Sequence, residues 1–168
     1  MKEIIRKNNL NKIIDNKEIR DSNIISKIIN LDVFKKSQNI GIYYPINNEV
    51  NILNIFKIIK NKNYYLPKVM NNEIIYLYLE DMNNLIKDKF NIYVPNNNKI
   101  IIKNDLDLII VPGLSFNKDN YRIGYGKGYY DRFLKDYNNY KIGVTYKEFI
   151  NDFKEENHDI KFNLVISG

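Results

Sequence analysis

The 168-residue chain has no cysteine, no tryptophan, no alanine and one histidine, His158. Without thiols it cannot form disulfides, thiolate zinc sites, iron–sulfur clusters or a cysteine nucleophile. A single imidazole removes mechanisms that need two, and most zinc chemistries with them. Acid–base work falls to carboxylates, lysines and tyrosines. No apolar run approaches the roughly 20 residues that cross a bilayer, so no transmembrane segment is expected. Lys2, Arg6 and Lys7 are followed by polar, Asn-rich sequence with no apolar signal core, which reads as a cytoplasmic protein.

What is present is globular in character, with 44% hydrophobic and 27% charged residues. The length fits one domain, taken here as residues 1–168. The net charge of +6 admits a nucleic-acid partner, yet Lys and Arg are spread along the chain and no RNA-reading motif accompanies them. Anionic small molecules account for the charge equally well. The dominance of Ile, Asn, Lys and Tyr reads as a coding bias.

Apolar positions at helical spacing occur over 2–14 (Ile4, Ile5, Leu10, Ile13, Ile14) and over 17–34 (Ile19, Ile24, Ile25, Ile28, Ile29, Leu31). A short strand, 40–44, ends at Pro45, and Glu49 opens a periodic stretch through Ile52, Ile55, Phe56 and Ile59 that predicts a helix. Residues 64–67 and 73–79 read as strands joined tightly through Asn71-Asn72. The run Leu-Asp-Leu-Ile-Ile-Val within 105–112 suits a central strand buried on both faces. A helix over 129–137 and strands over 141–146 and 162–166 complete an α/β pattern, which implies a mostly parallel sheet covered by helices on both faces.

Just past the central strand, residues 122–134 read Arg-Ile-Gly-Tyr-Gly-Lys-Gly-Tyr-Tyr-Asp-Arg-Phe-Leu, with Gly124, Gly126 and Gly128 at alternate positions. Glycine lets backbone amides approach a ligand closely, and a helix that follows such a loop directs its amides toward an anion. Lys127 adds positive charge. Phosphate binding is one reading of this segment, and a tight strand-to-helix turn is the other. The segment is neither a Walker A loop, which needs Ser or Thr after Lys, nor the dinucleotide fingerprint, which needs Gly at Tyr129. Tyr129 and Tyr130 offer rings for stacking, and Asp131 either holds a magnesium ion or caps the helix.

The block Val111-Pro112-Gly113-Leu114-Ser115-Phe116, Asn120-Tyr121-Arg122, then Gly-Tyr-Gly-Lys-Gly-Tyr-Tyr-Asp resembles the signature of the 5-formyltetrahydrofolate cyclo-ligases. The likeness continues in Lys2-x-x-x-Arg6, Tyr44-Pro45, Asn48-Glu49-Val50, Leu66-Pro67-Lys68 and His158-Asp159, and so spans the chain. The resemblance implies a three-layer α/β fold similar to phosphosugar isomerases and CoA transferases. It implies ATP-dependent cyclisation of 5-formyltetrahydrofolate to 5,10-methenyltetrahydrofolate, with ATP as co-substrate and Mg2+ as cofactor; no nucleic-acid or membrane partner is expected, and the chain is taken as a monomer.

Carried over by residue, ATP contacts fall to Lys2, Arg6, Arg122, Gly124, Gly126, Lys127, Gly128, Tyr129 and Tyr130. Folate contacts fall to Tyr44, Glu49, Tyr125, Gly126, Lys127, Gly128 and Tyr129, metal binding to Asp131 and Asp159, and catalytic roles to Lys127 and Tyr129. Read as residues alone, Lys2 and Arg6 make a solvated helix face, and Glu49 is a carboxylate favoured by a helix dipole. His158 reads as a surface residue with no catalytic role. The chain departs from the family pattern at Tyr125, where some relatives carry Arg, at Ile13, near a usual basic residue, and at Asn163, where many carry Asp. The other readings are a non-catalytic nucleotide- or RNA-binding domain and a fold relative with a different phosphoryl acceptor.

Overall fold

The computed structural model describes residues 1–168. Its centre is a seven-stranded sheet in the order β11-β10-β7-β1-β2-β3-β6. The strands are β1 (Asn39–Gly41), β2 (Asn63–Met70), β3 (Glu73–Tyr78), β6 (Ile100–Ile101), β7 (Leu108–Pro112), β10 (Tyr140–Thr145) and β11 (Leu164–Ser167), while β4 (Leu85–Lys87) with β5 (Tyr93–Pro95) and β8 (Ser115–Phe116) with β9 (Arg122–Ile123) form two small antiparallel pairs outside this sheet. Pairings from β11 through β2 are parallel, whereas β3 and β6 add antiparallel. The antiparallel step follows from Asn71 and Asn72, whose φ values of 50° and 63° give the two-residue turn that joins β2 to β3.

Every residue of β7 is buried, and its alternating side chains divide the core. Leu108 and Ile110 join Ile24, Ile28, Phe34, Ile55 and Ile142 on one face, beneath α2 (Lys17–Ile29), α3 (Asp32–Lys36) and α4 (Asn54–Ile58). Ile109 and Val111 join Tyr76, Phe116, Phe133 and Phe162 on the other, covered by α5 (Tyr129–Leu134) and the chain leading into β11. The result is the expected three-layer α/β fold. Full burial of an isoleucine such as Ile24 contributes roughly 2 kcal/mol, and a stripe of them holds α2 on the sheet. On the second face, a Cβ at Gly143 would lie 2.4 Å from the Phe116 ring. The missing side chain is what lets that aromatic layer sit directly on β10.

The first helix, α1 (Lys2–Leu10), lies apart from the sheet, with Ile5 packed against Ile123 and Phe153. The apolar positions expected to form one helical stripe over 2–14 divide: Ile5 and Ile14 are buried, whereas Ile4 is 65% exposed and Ile13, past the end of the helix, is 89% exposed. Beside Ile5 the helix has a second, polar anchor in the buried Asn9, which donates Nδ2 to Leu114 O at 2.7 Å and to Asn151 Oδ1 at 2.9 Å. The helix expected over 17–34 breaks at Asn30 and Leu31 into α2 and α3. The helix expected from Glu49 starts only at Asn54, and Glu49 closes a turn in which its amide donates to Ile46 O at 3.0 Å. The last predicted strand begins later, at Leu164. No helix is long and apolar enough to cross a membrane.

Candidate active site

Strand order reverses between β7 and β1: the chain leaves β1 toward β2 on one side, and leaves β7 toward β10 and β11 on the other. In open α/β sheets ligands bind at the carboxyl ends beside such a reversal. A cleft of about 1350 Å³ opens there, lined by Tyr43 and Tyr44 after β1, Pro67 and Lys68 of β2, and Pro112 at the end of β7. It collects every sequence-derived candidate: Lys2 and Arg6 from α1, Tyr44 and Glu49, the stretch Arg122 to Asp131, and Asp159.

The glycine loop forms one wall. Gly126 and Gly128 have φ of 97° and 71°, backbone conformations that side chains disfavour. A Cβ at Gly126 would have ordinary contact with Arg6 at 3.5 Å, so backbone geometry, not crowding, selects glycine there. Arg6 braces the loop from α1, donating Nε to Gly124 O at 2.8 Å. At the far end Arg132 donates Nη1 to Lys127 O at 3.0 Å and lies 5.1 Å from the Tyr129 ring centre. Lys127 is exposed between these braces. Gly128 is the N-cap of α5, which has no side-chain cap, so Asp131 does not cap the helix and faces the cleft.

Asp131 meets Asp159 and His158 across the cleft, with one ligating atom of each within 4.8 Å of the others. Asp159 Oδ2 accepts from Lys2 Nζ at 2.6 Å and from the Glu156 amide at 2.7 Å, which leaves Oδ1 for a further partner. Two carboxylates from separate elements suit a hard divalent cation such as Mg2+, so the residues fit the expected ion. Of the three, His158 is the one that sequence reading set aside.

Opposite the charged corner the cleft is aromatic and partly apolar. Glu49 Oε2 accepts from the Ile46 amide at 2.9 Å. Burial pushes its carboxyl up to about 7, against that hydrogen bond and the attraction of Arg122. The Arg122 guanidinium lies 4.7 Å from the Tyr130 ring centre and donates Nε to Pro112 O at 2.6 Å. Desolvation lowers its pKa, while Tyr130, Asp131 and Glu49 hold it up. The fully buried Tyr76 hydroxyl approaches that of Tyr130, and burial pushes both phenols well above their ordinary value. At the mouth, Asn47 Nδ2 donates to Tyr125 Oη at 3.1 Å, tying the Glu49 turn to the glycine loop through one of the residues that departs from the family pattern.

A hairpin that the sequence reading left unassigned overhangs this wall. It pairs β4 (Leu85–Lys87) with β5 (Tyr93–Pro95). Asp88 Oδ1 accepts from the amides of Phe90 at 2.9 Å and Ile92 at 3.0 Å, fixing the tip. Phe90 then faces Tyr129 edge-on with centroids 6.3 Å apart, and Tyr93 packs on Tyr44 at 4.9 Å. The signal was present as two short apolar runs around Asp88 and Asn91, the latter at φ 63°.

The model of the 5-formyltetrahydrofolate cyclo-ligase family matches residues 2–168. The chain is 36% identical over 132 residues to the 5-formyltetrahydrofolate cyclo-ligase of Mycoplasma genitalium, covering 77% of this chain and 72% of that protein. With the mouse enzyme of the same name it shares 30% identity over 163 residues, 85% of this chain and 79% of the other. The fold superposes on the NMR structure of Aquifex aeolicus 5,10-methenyltetrahydrofolate synthetase with a TM-score of 0.87 and 34% identity, covering 99% of this chain and 89% of that one. On the 5,10-methenyltetrahydrofolate synthetase from Mycoplasma pneumoniae it superposes with a TM-score of 0.76 and 29% identity, covering 98% and 94%. A match over nearly the whole sequence, carried into the fold, means that the chain belongs to the 5-formyltetrahydrofolate cyclo-ligase family and is an enzyme.

Proposed function

We propose that the enzyme uses ATP to drive cyclisation of 5-formyltetrahydrofolate, releasing ADP, phosphate and 5,10-methenyltetrahydrofolate. One observation carries this reading: a single cleft joins a glycine loop and two carboxylates on one side to Glu49 and an aromatic wall on the other. One half suits a nucleotide triphosphate with its cation, the other a flat, hydrogen-bonding heterocycle.

A formamide carbonyl is a weak electrophile, because its nitrogen donates into it, and its oxygen is a poor leaving group. Transfer of the terminal phosphoryl group to the formyl oxygen converts that oxygen into phosphate. The nitrogen at position 10 then attacks the formyl carbon and loses its proton, and the C–O bond breaks with release of phosphate. The protein's task is positioning and charge stabilisation. Lys2, Arg6, Arg122 and Lys127, with the amides from Gly124 to Tyr130, would hold the phosphates. Tyr44, Glu49, Tyr125 and Tyr129 would hold the folate, with Lys127 and Tyr129 nearest the transfer. Magnesium on Asp131 and Asp159 would supply neutralising charge at the phosphates. We further read residues 1–168 as one domain, acting as a monomer in the cytoplasm.

The test is the absorbance of the methenyl product when purified protein meets 5-formyltetrahydrofolate, ATP and magnesium, beside an Asp131→Ala variant. Product that requires ATP and is lost in the variant supports both the reaction and the metal assignment. Turnover without ATP overturns the mechanism, and full turnover in the variant overturns the metal site.

A further inference from the structure

We infer that His158 is a third ligand from the chain to the divalent cation, making a mixed nitrogen–oxygen site that accepts first-row transition ions such as Mn2+ as well as Mg2+. The inference rests on the proposed cation site of Asp131 and Asp159 and adds to it a ligand and a class of metal.

The geometry is specific to one oxygen. Asp159 Oδ2 is occupied by Lys2 and the Glu156 amide, and His158 Nε2 faces the remaining Oδ1 at 3.6 Å. Two ligands on neighbouring octahedral positions around an ion at 2.0–2.1 Å lie about 3 Å apart, so a small closure brings both atoms onto one cation. Asp131 supplies the third corner, with all three donors within 4.8 Å of one another. His158 Nε2 also lies 3.3 Å from Glu156 Oε2, but both side chains are more than half exposed and such a pair holds little energy in water. That contact orients the ring without committing its nitrogen.

An imidazole changes which ions the site prefers. Mg2+ demands oxygen ligands and keeps its waters, whereas nitrogen donors raise affinity for transition ions. Losing even an outer-sphere partner of a metal ligand costs 10–100-fold in metal affinity. Losing His158 therefore predicts a drop of at least about tenfold for Mn2+, and little change for Mg2+.

His158 is the only histidine, so labelling the full chain with [15N]histidine marks this ring alone. The labelled protein is mixed with Mn2+ and the β,γ-methylene analogue of ATP, and electron spin-echo modulation of the bound Mn2+ is recorded. A 15N coupling is expected, and bound Mn2+ without it overturns the inference. Mn2+ and Mg2+ dissociation constants are then compared for the natural chain, His158→Asn and Asp131→Asn. Selective loss of Mn2+ affinity in His158→Asn is expected, while equal shifts for both ions, or none, sink the third ligand. Undiminished Mn2+ affinity in Asp131→Asn would instead overturn the underlying cation site.

Discussion

Lys2 Nζ lies 2.6 Å from Asp159 Oδ2, although 157 residues separate them in the chain. The Lys2 and Asp159 side chains are only 15% and 4% exposed, so solvent screens this pair less than an ordinary surface salt bridge. It ties α1 to the loop before β11 and sets a positive charge beside the Asp131–Asp159 corner.

Replacing Lys2 by Met removes that charge and one proposed phosphate contact together. A charge-assisted hydrogen bond contributes about 1.5–3 kcal/mol, so kcat/KM for ATP should fall roughly 10- to 100-fold. Initial-rate kinetics with varied ATP and saturating folate read this directly. An unchanged kcat/KM for ATP would confine Lys2 to a structural role.

Glu49 predicts a pH effect whose sign follows from its raised pKa. Its ordinary value is 4.5 and burial moves it to about 7, so the folded state holds a proton that the unfolded chain has released. Its contribution to stability is fully present below about 4.5 and is lost as pH rises through about 7. The thermal midpoint of the natural chain should therefore fall relative to Glu49→Gln across that window. Parallel curves for the two proteins would refute the assignment. Because only the ionised carboxylate is purely an acceptor, folate affinity should also rise through about pH 7 in the natural chain and lose that dependence in the variant.

Phe90 gives a prediction for the hairpin. Its ring is 42% exposed at a fixed tip facing Tyr129, so Phe90→Ala should leave the fold intact. Aromatic pairs contribute about 0.5–1.5 kcal/mol beyond buried area, so KM for 5-formyltetrahydrofolate should rise about 2- to 10-fold with a smaller change in kcat. A variant with a lowered melting temperature and an unaltered KM would make the hairpin a structural cover only.

The sequence by itself determined the central strand, the glycine loop and the residue types of the site. Those signals are local: a run of apolar residues over 108–111, alternate glycines at 124–128, and an Asn-Asn turn at 71–72 each act over a few bonds. Tertiary structure decided what periodicity misread. Of the apolar positions over 2–14, Ile5 and Ile14 are buried but Ile4 and Ile13 are exposed, and α1 is held as well by Asn9, whose partners Leu114 and Asn151 lie far along the chain. Glu49 left its predicted helix because its carboxylate and amide both pair with Ile46. His158 and Phe90 gained their places only when the reversal of strand order brought separate loops to one cleft. Periodicity reports which side of an element is apolar; which partner covers that side is set by contacts between residues far apart in sequence.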